Sequence, residues 1–183
     1  MALSATIYVF EIELADSDRS VYESFELRVA RHPSETSEYL LTRVLAYCLE
    51  YTEGIAFSKG LSAPDEPAIL VRDLTGTLRA WIEVGSPDAP RLHRAAKAVP
   101  RVAVYAHRNA DQLAVRYGAE RIHRAPSLEL YALDGAWLTE LAAKLTRRMR
   151  ISLTVAARHL YLTYAGESSS SVVERVYFGA QGA

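Results

Sequence analysis

Cysteine is nearly missing from this chain: Cys48 is the single one among 183 residues. That excludes an internal disulfide framework and any multi-cysteine zinc site. Cys48 sits in an apolar helical pattern, which reads as a buried, inert thiol rather than a nucleophile. No apolar run approaches the ~20 residues a membrane helix needs. The opening Met-Ala-Leu-Ser-Ala-Thr lacks the basic start and long apolar stretch of a signal peptide, so the expectation is a cytoplasmic protein with no membrane contact. Several catalytic signatures are missing too. There is no Walker phosphate loop, no Rossmann glycine fingerprint and no His-Glu-x-x-His pair. Nor is there a Gly-x-Ser-x-Gly elbow. The five histidines, His32, His93, His107, His123 and His159, show no ligand spacing.

The formal net charge of −1 hides an asymmetry. Residues 1–87 carry 7 Lys/Arg against 14 Asp/Glu, whereas residues 88–150 carry 12 against 6. The acidic section suits cation ligands and the basic one an anion such as phosphate, although two solvated faces would look the same. The near-neutral balance argues against strong nonspecific nucleic-acid binding.

Periodicity gives the element order. Thr6–Leu14 and Tyr22–Ala30 read as strands joined by a turn at Asp16–Arg19. A helix follows, with Ser34 as its N-cap, Glu35 and Glu38 in its first turn, and Leu41, Val44, Leu45, Cys48 and Leu49 as its buried stripe. At about 100° per residue Glu38 falls at the margin of that stripe and Glu35 farther toward solvent. Residues 69–72 and 77–84 form a hairpin around Asp73-Leu74-Thr75-Gly76, whose residues suit a type I turn. On the second strand Leu78, Ala80, Ile82 and Val84 share the core face, and Arg79, Trp81 and Glu83 share the other. Glu83 is a carboxylate among residues that expect burial, which calls for solvation, an arginine partner or a ligand.

A helix runs from Pro87-Asp88 to Lys97, then a strand at Arg101–Ala106. Asn109 and Gln112 suggest a capping box for a helix ending near Gly118. Leu128–Leu133 is a strand, and Asp134 caps a helix running to Arg148 with a basic end. Ile151–Val155 and Leu160–Tyr164 pair, Glu167–Ser171 is a Ser-rich loop, and Val172–Phe178 is a last strand. The expectation is one α/β (α+β) domain over residues 1–183: a mixed central sheet flanked by helices, with an additional antiparallel β-layer from residues 5–30 and 151–178.

The candidate chemistry lies around the hairpin, where Glu35 or Glu38, Asp65, Glu66, Asp73 and Glu83 supply carboxylates. Hard divalent cations such as Mg²⁺ or Mn²⁺ take oxygen ligands and keep several waters. A metal held there would activate water and stabilise charge on a phosphoryl group.

The segments Arg31–Thr36, Lys59-Gly60-Leu61-Ser62, Asp65-Glu66-Pro67, Asp73–Gly76 and Trp81-Ile82-Glu83-Val84-Gly85 resemble the YaeQ family of bacterial proteins. The resemblance runs over essentially the whole chain. It implies a variant of the PD-(D/E)XK nuclease fold: a restriction-endonuclease-like core of helix, three-stranded meander, helix and further strand, here about residues 34–148. In that superfamily a second-strand carboxylate and the third-strand acid of (D/E)-x-K hold the metal, a helix glutamate assists, and the lysine orients water. The resemblance puts Glu83 at the third-strand acid, Glu38 or Glu35 at the helix acid and Pro67 at the proline. Ala68 stands where an aspartate is expected, with Glu66 or Asp65 as substitutes. Gly85 stands at the lysine position, with Lys59 or Lys97 as the replacement. The resulting expectation is a Mg²⁺- or Mn²⁺-dependent nuclease or phosphodiesterase. Glu38, Glu66, Glu83 and Lys59 would be catalytic, and Arg91, Arg94 and Lys97 would hold a DNA or RNA backbone. The alternative is an inactive nuclease-fold module that binds nucleic acid or a protein partner.

Overall fold

The structure, a computed structural model, describes residues 4–58 and 65–178. Its first two strands, β1 (Thr6–Asp16) and β2 (Val21–Arg31), pair antiparallel along their full length. Helix α1 (Ser37–Leu49) follows, then three strands, β3 (Ile55–Phe57), β4 (Ile69–Arg72) and β5 (Leu78–Val84). Helix α2 (Ala89–Ala98) leads to β6 (Arg101–Ala106), and α3 (Ala110–Ala119) leads to β7 (Glu129–Ala132). Helix α4 (Gly135–Ala143) precedes β8 (Arg148–Ala156), β9 (His159–Tyr164), β10 (Glu167–Val172) and β11 (Glu174–Val176).

Two mixed sheets result. One has the order β10-β9-β8-β1-β2 and the other β11-β7-β6-β5-β4-β3. In the first, β1 and β8 run parallel, so the terminal layer is not purely antiparallel as expected. The expected final strand also divides. The Ser-rich stretch is strand β10, which pairs with β9 across a turn whose Ala165 and Gly166 both have positive φ, whereas β11 crosses to β7 in the other sheet. Left-handed turn residues match the twist of a tight hairpin and so fix this pairing despite weak strand propensity.

Four layers can be read from burial. One core cluster joins Phe10, Ile12, Leu153 and Leu160 of the first sheet to Ala80, Ile82, Ala103 and Tyr105 of the second, with α1 and α4 in it. A second cluster joins Val102, Val104 and Leu130 to Ala89, Leu92, Leu113 and Tyr117 of α2 and α3. Strand β6 therefore buries both faces, as a continuous apolar run in a parallel core does. Helix α1 is buried from Leu40 through Ala46 and at Cys48, because it has a sheet on either side. Burial pushes the Cys48 thiol up to about 12, in keeping with an inert cysteine.

Several boundaries differ from expectation. The N-cap of α1 is Thr36, whose hydroxyl accepts from Tyr39 N at 3.1 Å, not Ser34. Asn109 sits at the start of α3 with φ 52 and makes no side-chain cap, because a left-handed N-cap departs from the extended geometry that aims the side chain at the first turn. Helix α4 stops at Ala143, and Arg148-Met149-Arg150-Ile151 is already strand. Its burial alternates residue by residue, with Met149 and Ile151 inside and Arg148 and Arg150 outside on Glu11. The Asp73 turn is as expected: Gly76 N donates to Asp73 O at 2.9 Å, and Gly76 takes the left-handed conformation of a bulged hairpin.

Candidate functional site

The carboxyl ends of the interior parallel strands β5 and β6 and the amino end of α1 meet at one end of the six-stranded sheet. Crevices at strand carboxyl ends are where open α/β sheets place ligands. Glu83, the next-to-last residue of β5, is 5% exposed. Its Oε1 accepts from Arg91 Nε at 2.5 Å and from Trp81 Nε1 at 2.6 Å. Arg91 lies in the first turn of α2, where the N-cap Asp88 accepts its backbone N–H at 2.7 Å. Side chains on a helix lean toward its N-terminus, so this cap aims the guanidinium back at the strand end. Arg91 Nη2 also donates to Glu66 O at 2.5 Å, and the guanidinium carbon lies 5.8 Å from the centre of the Trp81 ring.

Glu35 reverses its expected position. It is buried, and its Oε2 accepts from His32 N at 3.0 Å and from Arg43 Nη2 at 3.4 Å. The cause is that α1 begins two residues after Glu35, so the helical-wheel angle does not apply to it. Arg43, itself buried, spends a second donor contact on Ala30 O at 2.6 Å. Tyr39 is within electrostatic reach of both glutamate–arginine pairs. Burial raises its phenol pKa, with Arg43 opposing and Glu35 and Glu83 adding to the rise.

Gly85 explains its own identity. Its φ is +89°, and a Cβ placed on it would lie 3.3 Å from Tyr39 Cε2. A lysine there would face both a strained backbone and the tyrosine ring. Glu38 is partly exposed in the first turn of α1, near His107 at the end of β6. Burial lowers the His107 pKa, Arg108 adds to this and Glu38 offsets it. Asp65 is exposed, Glu66 is half-buried, and Ala68 packs against the larger core cluster. Arg94 and Lys97 are exposed on α2. Asp73 is committed elsewhere: it accepts from Thr75 and Thr77 and pairs with Arg79 at 2.7 Å. Lys59 lies outside the described residues.

The expected Mg²⁺ or Mn²⁺ ligands are Glu35, Glu38, Asp65, Glu66 and Glu83. Among the described residues, no three acidic, His or Cys side chains come together as a metal-binding group. Glu83 is compensated by Arg91 and Glu35 by Arg43, so this arrangement does not fit a hard cation. Arg91, expected on the phosphate-binding face, is instead the partner of Glu83. The sequence offers an arginine partner for Glu83 without singling out Arg91, and the Glu35–Arg43 pairing was not foreseen. For Arg43 a signal was present, since a charge inside an otherwise apolar helix calls for a buried partner.

The fold and this strand end define a mixed α+β protein with, among the described residues, two mixed sheets, four α-helices and a charge-compensated carboxylate at the carboxyl end of an interior strand of the larger sheet. Residues 1–173 match the family described as YaeQ protein, and the chain belongs to that family. It is 34% identical to the YaeQ protein of Salmonella typhi over 166 residues, 90% of this chain and 92% of the relative. The crystal structure of YaeQ from Xanthomonas axonopodis pv. citri is similar with a TM-score of 0.86 and 29% identity, covering 96% of this chain and 99% of that one. YaeQ from Pseudomonas syringae gives 0.83 and 32%, covering 94% and 96%. No helix among the described residues is long and apolar enough to cross a membrane.

Proposed function

We propose that this protein is a PD-(D/E)XK-like scaffold that binds nucleic-acid backbone without hydrolysing it. The element order supports the scaffold: α1, the meander β3-β4-β5, α2, then β6 parallel beside β5. The observation that carries the loss of hydrolysis is the clamp on Glu83 by Arg91 and Trp81. The closed lysine position at Gly85 and the apolar Ala68 agree with it. For binding, Arg94 and Lys97 stand three residues apart on the exposed side of α2, in the basic section of the chain. The reading carries a cytoplasmic location with it.

A specific observation favours a second reading, Mg²⁺- or Mn²⁺-dependent phosphodiester hydrolysis. Glu66 and Glu83 are brought to the same arginine, and Glu38 is on the helix that meets this strand end. Lys59 would then supply the missing ammonium. Hydrolysis requires Arg91 to leave Glu83.

Fluorescence anisotropy with labelled DNA and RNA oligonucleotides, scanned over salt, tests the first reading. Binding should weaken linearly in log–log form as salt rises. Arg94→Glu with Lys97→Glu should weaken it on every sequence alike. Absence of binding removes the first reading. Mn²⁺-dependent cleavage that disappears in Glu83→Gln establishes the second.

A further inference from the structure

Arg91 does more than neutralise a stray carboxylate. Its Nε and Nη2 belong to one rigid planar fork. Each donates at 2.5 Å, one to Glu83 Oε1 and the other to Glu66 O. The two acceptors therefore converge on one positive group from adjacent directions, as neighbouring oxygens around a hard cation do. Around them stand the Trp81 indole N–H, which shares Glu83 Oε1, and the Trp81 ring, which faces the guanidinium. The Asp88 cap fixes the backbone from which Arg91 reaches in. An arginine stays protonated throughout the working pH range. Unlike a lysine, it is not discharged by burial.

We propose that the Arg91 guanidinium is a covalently tethered cation that occupies the position a divalent metal would take between Glu83 and the Glu66 carbonyl. This strand end is thus metal-independent, and a latent divalent-cation site lies beneath the arginine. The inference deepens the non-hydrolytic reading and rests on it for the identity of the scaffold. It states a definite consequence: removing one positive side chain creates affinity for a positive ion.

The test is Mn²⁺ binding to the full chain, read by loss of the free-ion electron paramagnetic resonance signal, with no nucleic acid present. Wild type should show no saturable binding below roughly 1 mM. Arg91→Ala should gain one site at least roughly tenfold tighter than wild type under the same conditions. Adding Glu83→Gln should abolish the gain. Arg91→Met keeps the aliphatic stem against Trp81 and gives the same reading if the alanine variant fails to fold. Saturable binding by wild type that Glu83→Gln removes overturns the proposal, and so does a folded Arg91 variant with no gain. Oligonucleotide anisotropy in chelator reads phosphate-backbone binding separately. Failure there with a successful Mn²⁺ gain removes the binding function and leaves the tethered cation standing.

Discussion

The six-stranded sheet carries a glutamate–arginine centre at each end, and the two are built differently. At the amino ends of β6 and β7, Arg101 is held by both oxygens of Glu50, at 2.6 and 2.9 Å, and both oxygens of Glu129, at 3.0 and 2.6 Å. The Tyr105 and Tyr131 hydroxyls donate to the same two carboxylates, and Arg175 adds a second cation. Burial opposes the Arg101 charge, but the two carboxylates win and raise its pKa. At the carboxyl end of β5, the described donors to Glu83 converge on a single oxygen. The first centre joins α1, β6, β7 and β11 and has the character of a structural lock. The second joins one strand to one helix, which makes it the easier of the two to open.

That contrast can be broken experimentally. Arg101→Ala takes the cation from Glu50 and leaves Glu129 to Arg175, and should cost about 3 kcal/mol by urea denaturation. This lies at the lower end for a buried pair because the Arg101 side chain keeps 36% of its exposure. Arg91→Ala should cost less, about 2 kcal/mol, since Glu83 keeps the Trp81 bond, whereas loss of Arg101 strips Glu50 of its cation and weakens the hold on Glu129. Glu83→Gln in that background should recover part of the loss, and a double-mutant cycle should report about 1 kcal/mol of coupling or more. If Arg91→Ala proves the more damaging, the assignment of lock and openable clamp is reversed.

Gly85→Lys sharpens the comparison at the clamp. A left-handed non-glycine costs about 1 kcal/mol, and the Tyr39 contact adds to it. The variant should be less stable by about 1–2 kcal/mol and should gain no Mn²⁺-dependent cleavage. Full stability with gained cleavage would show that a lysine fits after all.

The smallest effect should come from the exposed Asp73–Arg79 pair. The Thr75 hydroxyl, aided by Arg79 and the turn amides, lowers the Asp73 pKa to about 2. An unfolded aspartate titrates near 3.9. Its contribution to stability is therefore complete above about pH 4 and lost as pH falls through about 2. Wild type and Asp73→Asn should differ above that window and converge below it, and carboxyl chemical shifts should give the midpoint directly.

Much of the fold was legible because local patterns agreed with it. The Asp73-Leu-Thr-Gly turn, the core face of β5 and the apolar run of β6 all follow from spacing and turn chemistry. What escaped were choices made by tertiary partners. Glu167–Ser171 has little strand propensity by itself, yet β9 recruits it. Arg148–Val155 alternates apolar and polar, a strand signal masked by reading its basic residues as a helix end. At the candidate site the sequence supplied Glu83 as an anomaly but not its partner. Arg91 is eight positions away, and only the packing of α2 on the sheet brings the two together. The burial of Glu35 escaped because it depends on Arg43, which the helical pattern treats as one more surface charge.

The parallel pairing of β1 with β8 bears on how the chain acquires its shape. Glu11 and Arg150 are 139 residues apart along the polypeptide and bonded across that seam. The edge of β1 opposite β2 must therefore wait unpaired until β8 has been made. Such long-range closure slows folding and prolongs exposure of an unpaired strand edge. During that wait the nascent protein is at its most vulnerable to aggregation and to chaperone capture.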